Sequence, residues 1–153
     1  MQLTERRQTV EKLAGPILDR IGAFLIDAQV RRERGALLVQ LFADTDVGIS
    51  IDECAVISRE LNRLLEADPA FAGSYRLEVS SPGLSQPLKL LRQFPKNIGR
   101  RFVLRYRQGE EVREAEGRLA SVEGDRLVFT NDSGESVALS FGDLLHCRER
   151  LPW

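Results

Sequence analysis

At 153 residues, with 42% hydrophobic and 29% charged side chains, the chain has the balance of a globular protein, one ordinary domain or two small ones, and not of a disordered one. No apolar run approaches the roughly 20 residues that span a bilayer, and the polar start Met1-Gln2-Leu3-Thr4-Glu5-Arg6-Arg7 has no apolar signal core behind it, so a cytoplasmic protein is expected. The formal net charge of −1 argues against simple coating of nucleic acid.

Along the chain, Val10, Leu13, Ile17 and Ile21 recur at helical spacing. Gly15-Pro16 interrupts them, which predicts a kink or a helix restarting at Pro16, with Gly22 as the stop. Phe24, Ile26, Ala28 and Val30 then alternate with Leu25, Asp27 and Gln29 as in a strand, and Arg31-Arg32-Glu33-Arg34-Gly35 turns the chain. A second strand with Leu37, Val39 and Leu41 on one face completes a hairpin. Ser50-Ile51-Asp52-Glu53 has the pattern of a capping box. Behind it Ile51, Cys54, Ile57, Leu61, Leu64 and Leu65 form one apolar helical stripe, ended by Asp68-Pro69. Tyr75, Leu77 and Val79 mark a third strand. This order, helix, hairpin, helix, strand, describes an N-terminal α+β domain over residues 1–88.

A linker is expected over residues 89–98. From Gly99 the period changes to two: Phe102, Leu104 and Tyr106 face one way, and Arg101, Val103, Arg105 and Arg107 the other. Gln108-Gly109, Glu123-Gly124-Asp125 and Asn131-Asp132-Ser133-Gly134 are turn signals separating further strands near 111–122, 126–131 and 135–140. Several short strands in so few residues predict a small closed β-barrel over residues 99–153.

Charge is distributed unevenly. Residues 1–88 carry 10 basic and 13 acidic side chains, and residues 89–153 carry 12 and 10. Most of the basic excess is Lys89, Arg92, Lys96, Arg100, Arg101, Arg105 and Arg107, with no acid among them in sequence. The segment is either a solvated linker and strand face or a place where phosphates are positioned without bases being read.

The means of catalysis are sparse. The single histidine, His146, adjoins Cys147 on a probable strand, which points the two side chains to opposite faces and not at one another. Cys54 and Cys147 are far apart and read as two buried thiols of a reducing compartment; with one histidine they offer no zinc spacing. No phosphate-cradling loop and no Gly-x-x-Gly clamp occurs. Asp44-Thr45-Asp46 could hold a divalent cation, although such acceptors before a helix more often satisfy a turn. No enzyme activity, cofactor or metal is expected.

Ser80-Ser81-Pro82-Gly83 is a strand exit in which Pro82 fixes one φ and Gly83 can supply a positive φ, as a type II turn requires. As a string, Leu77-Glu78-Val79-Ser80-Ser81-Pro82-Gly83-Leu84 with Pro87-Leu88 closely resembles the signature of the ribosome maturation factor RimP family. Gly48-Ile49-Ser50-Ile51-Asp52-Glu53-Cys54 and Ser58 resemble that family's entry to its second helix. The resemblance covers the whole chain, with its specific part within 48–88, and the barrel half is similar to the family's Sm-like C-terminal domain. Ser85 and Gln86 stand where the family usually has an Asp-Arg pair, so the contacts of those charges do not carry over. The resemblance implies a non-catalytic factor that binds the free small (30S) ribosomal subunit late in assembly. Its partners would be ribosomal RNA and a small-subunit ribosomal protein near the decoding region, with no membrane and the chain acting as a monomer. Candidate partner-binding residues are Glu78, Ser80, Ser81, Pro82 and Gly83, with Lys89, Arg92, Lys96, Arg101, Arg105 and Arg107. The alternative is a stand-alone Sm-like RNA-binding protein whose first domain dimerises.

Overall fold

The computed structural model describes residues 2–83 and 86–150. The chain divides into two compact units, Met1–Pro82 and Gly83–Trp153. The first contains α1 (Leu3–Ile21), β1 (Phe24–Glu33), β2 (Ala36–Asp44), α2 (Ile51–Glu66) and β3 (Tyr75–Ser80). Helix α1 runs through Gly15-Pro16 unbroken instead of restarting there. Pro16 removes one i→i−4 hydrogen bond, and burial of Val10, Ala14, Ile17 and Leu18 on both sides of it holds the helix together. Gly22, at φ 74°, ends it by donating back to the carbonyls of Leu18 and Asp19.

Strands β1 and β2 form the expected hairpin, closed by Arg34 and Gly35, both at positive φ, with Glu33 opposite Ala36. β3 pairs with β2 in parallel, so the chain needs a crossover, which α2 supplies. Both helices pack on one face of the sheet, where Val10, Ile17, Val39, Leu41, Ile57, Leu61 and Phe71 form the core. The Ser50–Glu53 capping box is present, with Glu53 N–H donating to Ser50 Oγ at 3.0 Å and Ser50 N–H to Glu53 Oε1 at 2.9 Å. The expected α2 stripe is too wide, however. Ile57, Leu61 and Leu65 are fully buried, Cys54 is half-buried, and Ile51 and Leu64 are 88% and 39% exposed. At 100° per residue Ile51 lies about 80° and Leu64 about 60° from the middle of the buried stripe, outside the strip that reaches the sheet.

The second unit is a five-stranded antiparallel sheet of β4 (Arg101–Gln108), β5 (Glu111–Glu123), β6 (Arg126–Thr130), β7 (Ser136–Ser140) and β8 (Leu144–Glu149), in the order β7-β6-β5-β4-β8. Gly109, Gly124 and Gly134, at φ 62°, 59° and 84°, occupy the three expected turns. Among the described residues β7 and β8 are the two edges and do not pair, so the expected closed barrel is instead an open order of strands. Its core is Phe102, Leu104, Tyr106, Leu119, Leu127, Phe129, Leu139 and Cys147. Residues 89–98, which the sequence suggests as a linker, form two single 3-10 turns and bury Phe94 in that core against Phe141, with ring centroids 5.9 Å apart.

Candidate functional site

Because β2 and β3 are parallel, with Phe42 opposite Ser80, they leave the sheet at the same end. β2 runs into the loop that starts α2, and β3 runs into Ser81-Pro82-Gly83. The stretches 48–54 and 77–83, far apart in sequence, are thus brought to one end of one sheet, outside the carboxyl ends of its parallel strands. Open α/β sheets commonly bind at that place.

The loop is held from within. Asp44 is buried, and its Oδ1 accepts from the N–H of Thr45 at 2.9 Å and of Ile49 at 3.3 Å. Gly48, at φ 94°, donates to the Thr45 carbonyl at 3.2 Å. Of the two alternatives for Asp44-Thr45-Asp46, Asp44 satisfies the turn, and among the described residues no group of acidic, histidine or cysteine side chains is placed to hold a metal. Ile49 packs on the core, whereas Val47 and Ile51 point away from it, Val47 at 91% exposure. These two side chains were not among the sequence candidates, since helical periodicity assigns Ile51 to the core.

Across the gap, Ser80, Ser81 and Gly83 are exposed and Pro82 is half-buried. Gly83 sits at φ 68°, the left-handed value that the turn requires. The turn's fourth residue, Leu84, and Ser85 lie outside the described residues. Glu78 is exposed on the sheet face away from the helices, where it accepts from Gln40 Nε2 at 3.2 Å and pairs with Arg76 at 3.2 Å. Arg76 also lies 3.7 Å from Glu33. Leu38, on this same face and 3% exposed, sits between Arg31 and Arg76 in the strand register, in reach of their aliphatic stems.

The basic segment is less uniform in space than in sequence. Arg101 pairs with Asp132 at 2.6 Å beside a polar pocket of about 290 Å³, and Arg100 lies 3.6 Å from Glu149. Lys89, Arg92 and Lys96 are none of them without a partner. Arg105 and Arg107 are exposed on the outer face of β4 as the alternation predicts, with Glu114 of β5 opposite Arg105. On the other side of β4, His146 lies opposite Arg105 and Arg148 opposite Val103, both exposed. Among the described residues no acid pairs with Arg105, Arg107 or Arg148. Arg148 therefore joins the two β4 arginines, and Arg101 drops out of the row. Its place was illegible in sequence because β8 follows β4 only after three intervening strands.

His146 and Cys147 do point to opposite faces of β8. Burial pushes the Cys147 thiol up to about 12, far from a thiolate nucleophile at neutral pH. The half-buried Cys54 thiol is also raised, by burial first and then by Glu53 and Asp44. Among the described residues no helix is long and apolar enough to cross a membrane.

Residues 13–85 match the family model described as the RimP N-terminal domain. The chain carries the N-terminal domain of the RimP family. That match includes both strings that meet at the end of the sheet, and it makes the first unit a domain of a ribosome maturation factor family. The RimP N-terminal domain model stops at residue 85, just beyond the boundary between the two units.

Proposed function

We propose that the chain binds the free small ribosomal subunit and assists its late assembly in the cytoplasm, without catalysing a reaction. The single observation that carries this reading is the RimP N-terminal domain match, which includes the exposed turn Ser80–Gly83 and the start of α2. In this reading the second unit is an Sm-like module. Its strand order, a meander whose fifth strand returns beside the first, supports that assignment. Ribosomal RNA phosphates meet Arg105, Arg107 and Arg148, and a ribosomal protein near the decoding region meets the acidic first unit, which carries net −3 over residues 1–82. A factor that binds the free or immature particle better than the finished ribosome shifts the population toward one assembly conformation and then leaves. Two modest patches on linked modules gain avidity only where the geometry lets both engage.

Gradient sedimentation of a lysate containing the tagged chain tests this. The chain should follow free small subunits and be depleted from translating ribosomes. Sedimentation with bulk RNA, or equal occupancy of both subunits, would refute it and favour a stand-alone RNA-binding protein.

A further inference from the structure

The chain has one histidine, and the strand register places it inside the cationic row of the second unit. His146 is exposed and lies directly opposite Arg105 of β4, with Arg148 two residues further along β8 on the same face. Side chains directly opposite one another on paired strands have Cβ atoms about 5 Å apart, those two residues apart on one strand about 7 Å, and diagonal ones about 7–8 Å. Arg105, His146 and Arg148 thus form a triangle small enough for one phosphodiester group to be reached from every corner. β8 is an edge of its sheet, so no further strand lies beyond His146.

The charges around the triangle are mixed, and most of the acids are engaged. β4 adds Val103 and Arg107 beside Arg105. Behind them on β5 stand Glu114, opposite Arg105, and Glu116, opposite Val103 and joined to Arg150 at 3.3 Å. Before β8, Asp143 accepts from Ser140 Oγ at 3.1 Å, and at its end Glu149 pairs with Arg100 at 3.6 Å. Among the described residues no hydrogen bond or ion pair engages the side chains of Arg105, His146 or Arg148, and Glu114 is the one of these four acids without a partner. Two permanent positive charges therefore face one free carboxylate.

We infer that His146 is a further contact of this site for RNA phosphates, donating from a charged ring once a phosphate lies between Arg105 and Arg148. Histidine is the side chain that ordinarily changes charge between about pH 5 and 8, and an anion within about 4–6 Å favours the charged form. Linkage acts both ways, so protonation of His146 and binding of phosphate strengthen one another. The inference rests on the proposed function, in which these arginines meet ribosomal RNA, and it adds a residue and a proton to that contact.

The test measures binding of the full chain to small-subunit ribosomal RNA stripped of protein, at about pH 7.5 and about pH 6. Wild type is compared with His146→Gln, which stays neutral, and with His146→Lys, which is charged at both pH values; thermal unfolding checks that each is folded. One proton per site limits the change to about tenfold per pH unit, so wild type should bind about 3–30-fold more tightly at the lower pH. Its slope of log affinity against log salt should steepen there by up to about 0.9. His146→Gln should bind weakly at both pH values and His146→Lys tightly at both. Wild type that binds this RNA at neither pH overturns the phosphate contacts of the proposed function, and the inference with them. Wild-type binding of equal strength at both pH values overturns the inference alone. So does a pH dependence that survives in His146→Gln, or a His146→Lys chain no tighter than His146→Gln at the higher pH. A pH dependence seen on free small subunits but not on stripped RNA would place an acidic protein segment at His146 and overturn it as well.

Discussion

Gly83 and Gly124 form a matched pair of perturbations. Both have left-handed φ, 68° and 59°, and a Cβ added at either meets nothing within 4 Å. A valine at either site is therefore opposed by backbone strain alone, on the order of 1–2 kcal/mol. For units of this size that lowers the unfolding temperature by roughly 4–16 °C, and Gly83→Val by no more than Gly124→Val, because strain at a boundary between units can relax. Their functional expectations diverge. Gly83 lies where the chain passes from one unit to the next, whereas Gly124 sits in the β5–β6 turn. Misaiming the passage removes simultaneous engagement of both modules, whose benefit is on the order of 10²–10⁴ in avidity. Gly83→Val should therefore weaken binding to the free small subunit by at least about tenfold more than Gly124→Val at a temperature where both are folded. Thermal unfolding and subunit affinity are measured on both. Affinity losses that simply track lost stability in the two variants would refute the orienting role of the turn.

Replacing Arg105, Arg107 and Arg148 by Gln should flatten the slope of log affinity against log salt by about 0.7–0.9 per lost phosphate contact, whereas Arg101→Gln, already paired with Asp132, should change it less. Because the folded Cys147 thiol is raised, its contribution to stability is complete below about pH 9 and is lost as pH rises toward 12. Denaturant unfolding of wild type should therefore weaken by up to about 1.4 kcal/mol per pH unit more steeply than that of Cys147→Ala in this window. Gly117→Ala places a Cβ 3.0 Å from the Thr130 carbonyl oxygen and should destabilise by about 1–3 kcal/mol. Gly15→Ala, inside α1 with open space around it, should stabilise by about 0.5–1 kcal/mol. A Gly15→Ala chain that melts earlier would refute this reading of Gly15 as an ordinary helix-interior position.

The sequence was legible wherever one local rule acts alone. The hairpin, the capping box, the alternation of β4 and the three glycine turns are each specified by a few adjacent residues, and each stands as expected. Errors arose where a partner distant in sequence decides. Ile51 and Leu64 have the period of core residues, but whether a marginal position is covered depends on how far the sheet extends beneath the helix. Phe94 sits among polar and cationic neighbours that read as a linker, and it is drawn in by Phe141. Strand β8 was legible only as a probable strand around His146-Cys147, without bounds, because Leu144-Leu145-His146-Cys147-Arg148-Glu149 alternates poorly, and its pairing with β4 is what fixes its extent. Arg100 and Arg101 of the basic segment lack acids only along the chain, since Glu149 of β8 and Asp132 of the β6–β7 turn reach them in space. At the candidate site both strings were visible in sequence, but their meeting at one end of the sheet follows from the parallel register of β2 and β3.

The pairing of β8 with β4 also bears on how the protein is made. Gln108 and Leu144 are 36 residues apart, so at about 5–20 residues per second β4 is complete roughly 2–7 s before its neighbour begins to emerge. During that interval one edge of β4 is an unsatisfied template open to any other nascent strand. Three of its four outward side chains, Arg101, Arg105 and Arg107, are cationic, Val103 being the fourth, and like charges resist stacking of one such edge on another. Charges in this position are expected to act as gatekeepers during synthesis, before any partner is met. Substituting them with valine should lower the soluble yield of the chain even where the finished fold is no less stable.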